Sequence, residues 1–90
     1  MQTPLFPLGR IVATPGALDA MDVLGMAAAL KAHQSGEWGD VDTEDAVSND
    51  AAVHDGTRIF SVYRTARGEK FWIITEWDRS VTTVLLPEEY

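Results

Sequence analysis

Cysteine is absent from this chain of 90 residues, and positive charge is scarce. Without cysteine, the chain cannot hold a disulfide framework, a thiolate zinc site or a cysteine nucleophile. Only 7 Lys and Arg residues accompany 14 Asp and Glu residues, which gives a net charge of −7 and no visible basic cluster. A phosphate backbone or an anionic membrane would repel such a chain, whereas a basic protein surface would attract it. We therefore expect neither nucleic acid nor membrane as a direct partner.

Long apolar runs are also missing. No segment approaches the roughly 20 apolar residues of a membrane span, and the first residues have neither the basic nor the apolar region of a signal peptide. The apolar fraction of 46% is ordinary for a globular protein, and a chain of this length has room for one hydrophobic core. The sequence therefore predicts a single domain over residues 1–90, with the cytoplasm as its location.

The first half of the chain has helical patterns after one short strand. Residues 8–14 are typical of a strand, and Thr14-Pro15 then predicts a helix that begins with Thr14 as N-cap. Apolar residues follow at helical spacing as far as Leu30, with Gly25 as a point where the helix can divide in two. Ser35-Gly36 indicates the end of this region. Asp42 can cap a third helix over residues 43–53.

The second half changes to strand patterns. Residues 58–65, 70–77 and 81–86 are rich in β-branched and aromatic residues and are separated by short turns. The strand over 70–77 is apolar on both faces, which favours a central position. The sequence therefore predicts an α+β fold of order β-α-α-α-β-β-β. Its antiparallel sheet has three to four strands, with the first strand added at an edge, and two to three helices cover one face.

Negative charge is concentrated in one stretch. Between Ala32 and Gly56 there is no Lys or Arg. The seven acids of this stretch, which we call the acidic stretch, are Glu37, Asp40, Asp42, Glu44, Asp45, Asp50 and Asp55. One interpretation is a solvated surface that keeps a small protein soluble. The other is a partner-binding surface, because carboxylates three or four residues apart on a helix lie about 5 to 6 Å apart, which is comparable with the spacing of phosphates along a strand.

Trp38 lies inside the acidic stretch between two glycines, and two positions suit it. The indole either pins the loop to the core or forms an exposed interface anchor, for which Trp is favoured. Nearby arginines in the sheet region can pair with the acids, within the chain or across a dimer; these are Arg58, Arg64 and Arg79.

Catalytic and metal signals are weak. Asp40-Val41-Asp42-Thr43-Glu44 alternates like a calcium loop, but its sixth position is Asp45 instead of Gly and its twelfth is Ala51 instead of Glu. His33 and His54 lack metal-ligand spacing, and nothing in the local pattern supports a triad of His33 with Ser35 and Asp40. We therefore expect no metal, no cofactor and no enzymatic activity.

Three further segments resemble a family of short proteins on plasmids and other mobile elements. They are Gly9-Arg10-Ile11-Val12-Ala13-Thr14-Pro15-Gly16-Ala17-Leu18, His33-Gln34-Ser35-Gly36-Glu37-Trp38-Gly39-Asp40 with Asn49-Asp50, and the ending from Trp72 to Tyr90. Members are described as plasmid-related, of unknown function, or as type I restriction subunits. The family has no established catalytic residues. The resemblance implies an accessory protein of mobile DNA.

Together, the resemblance and the acidic stretch indicate an inhibitor of host defence. We expect an anti-CRISPR protein that acts on a type I Cascade complex, or an anti-restriction protein, by occupying a basic DNA-handling surface as a DNA mimic. The alternative is a regulatory adaptor of the mobile element that acts through a sheet or dimer surface, where exposed positions such as Arg64 or Thr82 would matter. A homodimer through an open sheet edge is a further expectation.

Overall fold

A computed structural model describes residues 4–90, whose helices and strands give an α+β fold. The elements follow the predicted order β-α-α-α-β-β-β. They are β1 (Arg10–Ala13), α1 (Pro15–Ala20), α2 (Val23–Gln34), α3 (Thr43–Asp55), β2 (Ile59–Arg64), β3 (Lys70–Thr75), β4 (Val81–Leu85) and a 3-10 turn (Pro87–Glu89). The prediction that no signal peptide is present rests partly on residues 1–3, which lie outside the described residues. Within residues 4–90, no helix has both the length and the apolar character needed to cross a bilayer.

The sheet is mixed, with the strand order β1-β4-β3-β2. Strands β2, β3 and β4 form an antiparallel meander, and β3 is central, as its apolar character on both faces predicts. β1 joins the edge beside β4, as expected, but runs parallel to it, with Arg10 opposite Val81 and Ala13 opposite Val84. The antiparallel description therefore holds for three strands and not for the fourth.

The break between α1 and α2 lies before Gly25. Thr14 caps α1 as predicted, its Oγ1 accepting a hydrogen bond from Ala17 N at 3.3 Å. Met21 is extended, and Asp22 then caps α2 by accepting from Gly25 N at 2.7 Å. The helix divides at residues 21–22 because an aspartate there can begin a new helix, whereas Gly25 already lies in the first turn of α2.

The helices cover one face of the sheet and bury two hydrophobic clusters there. One joins α1 and α2 to the sheet, and the other joins α3 to β2 and to the segment before β1. The first cluster contains Ala17, Ala29, Phe71, Ile73 and Val84, and the second contains Phe6, Trp38, Ala52 and Ile59. The opposite face of the sheet has an aromatic layer in which Trp72 contacts the rings of Phe60 and Tyr90, with centroids 5.1 and 5.6 Å away. Trp77, the last residue of the strand predicted over 70–77 as apolar on both faces, lies beyond the end of β3 and is 65% exposed instead of buried in the core.

The outer edge of β2 is covered by residues 38–40. Asp40 N donates to Val62 O at 2.7 Å, and Val62 N donates to Trp38 O at 3.1 Å. Gly39 permits this approach, since it has a φ of +76° and a Cβ there would lie 1.9 Å from Val62 O. Of the two sheet edges formed by residues 4–90, only the short strand β1 leaves its outer side without a backbone partner.

Candidate functional site

All seven acids of the acidic stretch are exposed. Glu37 and Asp40 lie in the loop before α3, and Asp42 is the N-cap of the helix, as the sequence predicts. Glu44 and Asp45 occupy its first turn. Asp50 lies in the middle of α3, and Asp55 is its last residue. The acidic stretch therefore begins beside β2 and continues along α3.

Three of these acids also stabilise the fold. Asp42 Oδ1 accepts from Asp45 N at 2.7 Å and so caps α3. Asp40 forms an ion pair with Arg64, with Nε and Oδ2 3.1 Å apart. Asp50 Oδ1 accepts the indole N–H of Trp38 at 3.0 Å. Each of these carboxylates therefore has a contact within the domain, although the exposed pair of Asp40 with Arg64 contributes little to stability.

Two acids have no such structural contact. Within residues 4–90, the carboxylates of Glu37 and Asp55 form neither a hydrogen bond nor an ion pair. Asp55 also lies in the last turn of α3, where the negative end of the helix dipole disfavours an acid. Glu44 and Asp45 differ, because acids in a first turn are favoured by the dipole. Glu37 and Asp55 are thus the acids whose charge the fold itself does not use.

Four acids lie along α3, and they point in different directions. Asn49 and Ala52 are buried with Ala46 and Val53 packed beside them, so helical spacing places Glu44 and Asp55 outward and Asp50 on one flank. Asp45 precedes Asn49 by four residues and Ala52 by seven, so it lies on the sheet-facing stripe, where it is exposed at the first turn. Thirteen residues form a helix about 20 Å long. One strand of B-DNA carries about six phosphates over that distance, at 3.4 Å each. Four of the seven carboxylates, those of Glu44, Asp45, Asp50 and Asp55, lie along this helix, so α3 carries about two thirds of the charge of one strand over the same length, and not in a single row.

Asn49 fixes α3 against the sheet, a role that sequence reasoning missed. Its side-chain amide donates to Phe60 O at 2.6 Å and accepts from Phe60 N at 3.1 Å. One side chain therefore satisfies both the backbone N–H and the backbone C=O of Phe60. These two hydrogen bonds hold α3 against β2. A buried Asn in an otherwise thin apolar face of the helix was the available signal, since buried polar groups are nearly always hydrogen-bonded.

Trp38 is a pin rather than an exposed interface anchor. The indole is 6% exposed and packs with Phe6, Ala52 and Ile59. Its stacking on Phe6 and its hydrogen bond to Asp50 hold the loop that carries Glu37 and Asp40. The anchor interpretation is wrong because the ring surface is already covered by the protein's own core.

Of the three arginines expected to pair with the acidic stretch, only Arg64 does so. Arg58 forms an ion pair with Glu76 instead, with Nη2 and Oε2 3.3 Å apart. Arg79 donates to the backbone carbonyls of Ala52 and Thr57, at 2.7 and 2.6 Å. It therefore ties the end of α3 to the sheet.

His33 belongs to a buried polar chain, which the sequence does not reveal because its partners lie in distant strands. The carbonyl of Leu8 can only accept, so Thr82 Oγ1 donates to it at 2.7 Å. Thr75 Oγ1 must then donate to Thr82 at 2.7 Å, and His33 Nε2–H to Thr75 at 2.9 Å. His33 Nδ1 is left to accept from Ser61 Oγ at 2.5 Å. This order requires the neutral imidazole protonated on Nε2.

Burial, together with the positive charge of the nearby Arg79, lowers the pKa of His33 to about 4. His33, Ser61, Thr75 and Thr82 are each 0% exposed. The imagined triad with Ser35 and Asp40 is not formed, since both His33 nitrogens are bonded elsewhere. Because Ser61 is inaccessible to solvent, its hydrogen bond to the imidazole is a structural contact of the core. Thr82, expected to be an exposed sheet position, is also part of this core.

Within the described chain, no group of three or more histidine or acidic side chains is placed to hold a metal ion. His54 lies in the last turn of α3 and is exposed. No family model, curated protein or solved structure matches this chain.

Proposed function

We propose that this protein is a non-enzymatic acidic inhibitor of a host defence nuclease system, an anti-CRISPR protein that blocks DNA binding by a type I Cascade complex. The observation that carries the proposal is the acidic stretch: seven exposed carboxylates without a Lys or Arg between Ala32 and Gly56. Glu37 and Asp55 support it further, because the fold gains nothing from their charge. Carboxylates on this surface take the place of phosphates in a basic groove and exclude DNA by competition.

The test is a DNA-binding assay with purified type I Cascade and its target duplex. The protein is expected to reduce bound DNA, and higher salt is expected to weaken the inhibition steeply, because exposed charges are screened. The decisive variant carries Glu37→Lys, Glu44→Lys and Asp55→Lys. These three side chains make no contact that holds the domain together, so this variant is expected to fold and to lose inhibition.

The matched control reverses three exposed acids outside the acidic stretch, namely Asp19, Glu69 and Glu88. Both triple variants have the same net charge, so a difference between them reports position instead of total charge. Inhibition that survives in the folded acidic-stretch variant, or that is lost equally in both variants, would contradict the proposal.

A regulatory adaptor of the mobile element is the second candidate. It is favoured by the exposed apolar side chains of α1 and α2, which do not belong to the acidic stretch. If the protein is an adaptor, Cascade is expected to bind DNA fully in its presence. If it is an anti-restriction protein, it is expected to protect DNA from a restriction enzyme instead.

A further inference from the structure

Three exposed apolar side chains of the helical layer lie where α1 meets α2. Leu18 is 60% exposed, Val23 83% and Leu24 80%. All three fall within seven consecutive residues on one corner of the domain. Apolar groups this exposed and this close together mark contact surfaces more often than isolated ones do.

A groove of about 440 Å³ lies at the start of α2, where Asp22 and Gly25, the neighbours of Val23 and Leu24 in the chain, line it. One wall is formed by the start of α2 and the other by the β2–β3 hairpin. Met21, Ala28 and Phe71 make its lining largely apolar. The helix wall includes one acid, Asp22, and the hairpin wall includes two bases, Arg64 and Arg67. Arg67 makes no side-chain hydrogen bond or ion pair within the part of the chain that the structure describes.

Gly25 keeps the groove open, and the fold itself does not require a glycine there. A Cβ at Gly25 would meet a single atom within 4 Å, Asp22 Oδ1 at 3.2 Å. The equivalent position of α3 is Asp45, whose N–H donates to its capping aspartate at the same distance of 2.7 Å while carrying a full side chain. Glycine in a helix is less stable than alanine by about 1 kcal/mol. The glycine therefore leaves this part of the groove wall open to a group from outside the chain.

We propose that the occupant is a second copy of this chain. The corner presents a projection, Leu24, beside a recess, the groove, so a two-fold axis can place each projection in the partner's recess. The same axis brings the hairpin wall of one copy, with Arg67, to the helix wall of the other, with Asp22, so that unlike charges meet. A domain of 90 residues also gains stability from burying apolar surface in a dimer. The interface uses α1, α2 and the hairpin, and leaves the acidic surface of α3 open.

The test is sedimentation equilibrium over a wide concentration series. The wild-type chain is expected to approach twice its monomer mass of 9.9 kDa. Ala28→Trp fills the groove, and we expect it to weaken association by at least about tenfold, roughly 1.4 kcal/mol. Leu24→Ser removes the projection and is expected to act in the same direction. Val47→Ser is the matched control, because Val47 is 63% exposed but lies on α3.

Gly25→Ala provides an independent measurement. Alanine is expected to raise the melting temperature of the monomer while weakening the dimer, a combination that a purely structural glycine would not give. A wild-type chain that stays monomeric at the highest concentration would overturn the proposal. So would a dimer that Ala28→Trp and Leu24→Ser leave intact, since the contact would then lie elsewhere, for example at the edge of β1. If Ala28→Trp does not fold, the result for Leu24→Ser tests the proposal, because the exposed Leu24 side chain contributes little to the monomer core.

Discussion

Acidification is expected to weaken folding through the buried imidazole of His33. The folded-state pKa is about 4 instead of 6.5. Between these two values the unfolded chain binds a proton that the folded protein excludes, so stability is complete above about pH 6.5 and falls as the pH is lowered toward 4. A difference of about 2.5 pKa units corresponds to about 3 kcal/mol in total, of which about 2 kcal/mol is already lost at pH 5. That is a substantial part of the 5–15 kcal/mol typical of a domain.

The assay is urea unfolding, followed by tryptophan fluorescence, at several pH values from 7 to 5. The lower limit matters because hydrogen bonds from Ser80 and Thr14 lower the pKa values of Asp78 and Glu89, and the stability from these acids is lost only as the pH falls below their ordinary values. Restricting the series to pH 5 and above therefore isolates the imidazole.

The matched variant is a triple substitution, His33→Leu, Ser61→Ala and Thr75→Val. It removes the titrating group together with the two hydroxyls that hydrogen-bond to it, while Thr82 keeps its hydrogen bond to Leu8 O. Replacing hydrogen-bonded partners together by apolar groups can be nearly neutral. We expect its stability to be flat between pH 7 and 5. An equal loss in the wild type and the variant would refute the reasoning, as would an NMR titration that places the His33 pKa near 6.5.

Two further predictions concern backbone contacts. Gly39→Ala places a Cβ against Val62 O, and we expect a loss of about 3 kcal/mol or more in the free energy of unfolding. Gly68→Ala is its control, because Gly68 also has a positive φ, of +88°, but open space around it; its loss should be only the backbone cost of about 1 kcal/mol. Arg79→Met removes the hydrogen bonds to the backbone carbonyls of Ala52 and Thr57, and we expect chemical denaturation to show a loss of about 2 kcal/mol. A loss below about 0.5 kcal/mol is typical of an ordinary surface position. Such a result would show that the hydrogen bonds from Arg79 to these carbonyls do not stabilise the fold.

Local signals predicted the fold well. The caps at Thr14 and Asp42 and the stop at Ser35-Gly36 depend on residues within one helical turn, and the structure confirms all three. The central position of β3 followed from its apolar character on both faces. The parallel direction of β1 could not be predicted, because no local pattern distinguishes the two directions of an edge strand that pairs across most of the chain.

The candidate site was predictable in charge but not in detail. The sequence located the seven acids, and their exposure follows from their polarity. The sequence left open whether Trp38 pins the loop to the core. That choice depends on Phe6 and Asp50, which lie outside the local pattern. The chain from Ser61 through His33 to Thr75 was invisible for the same reason, since its members are 28 and 42 residues apart. Short-range patterns determine helix ends, whereas buried polar networks depend on how distant segments meet.

The pairing of β1 with β4 has a consequence for the order of folding. Thr14 and Val84, which meet at the end of this pair, are separated by 70 residues. Pairs so distant close slowly, because the entropy of a long loop is lost before the contact is gained. During synthesis at 5–20 residues per second, the β1 segment is completed on the order of ten seconds before its partner strand β4. We expect the meander of β2, β3 and β4 to form first and β1 to dock last, so β1 and the helices that follow it are the part most exposed to chaperones and proteases in the nascent chain.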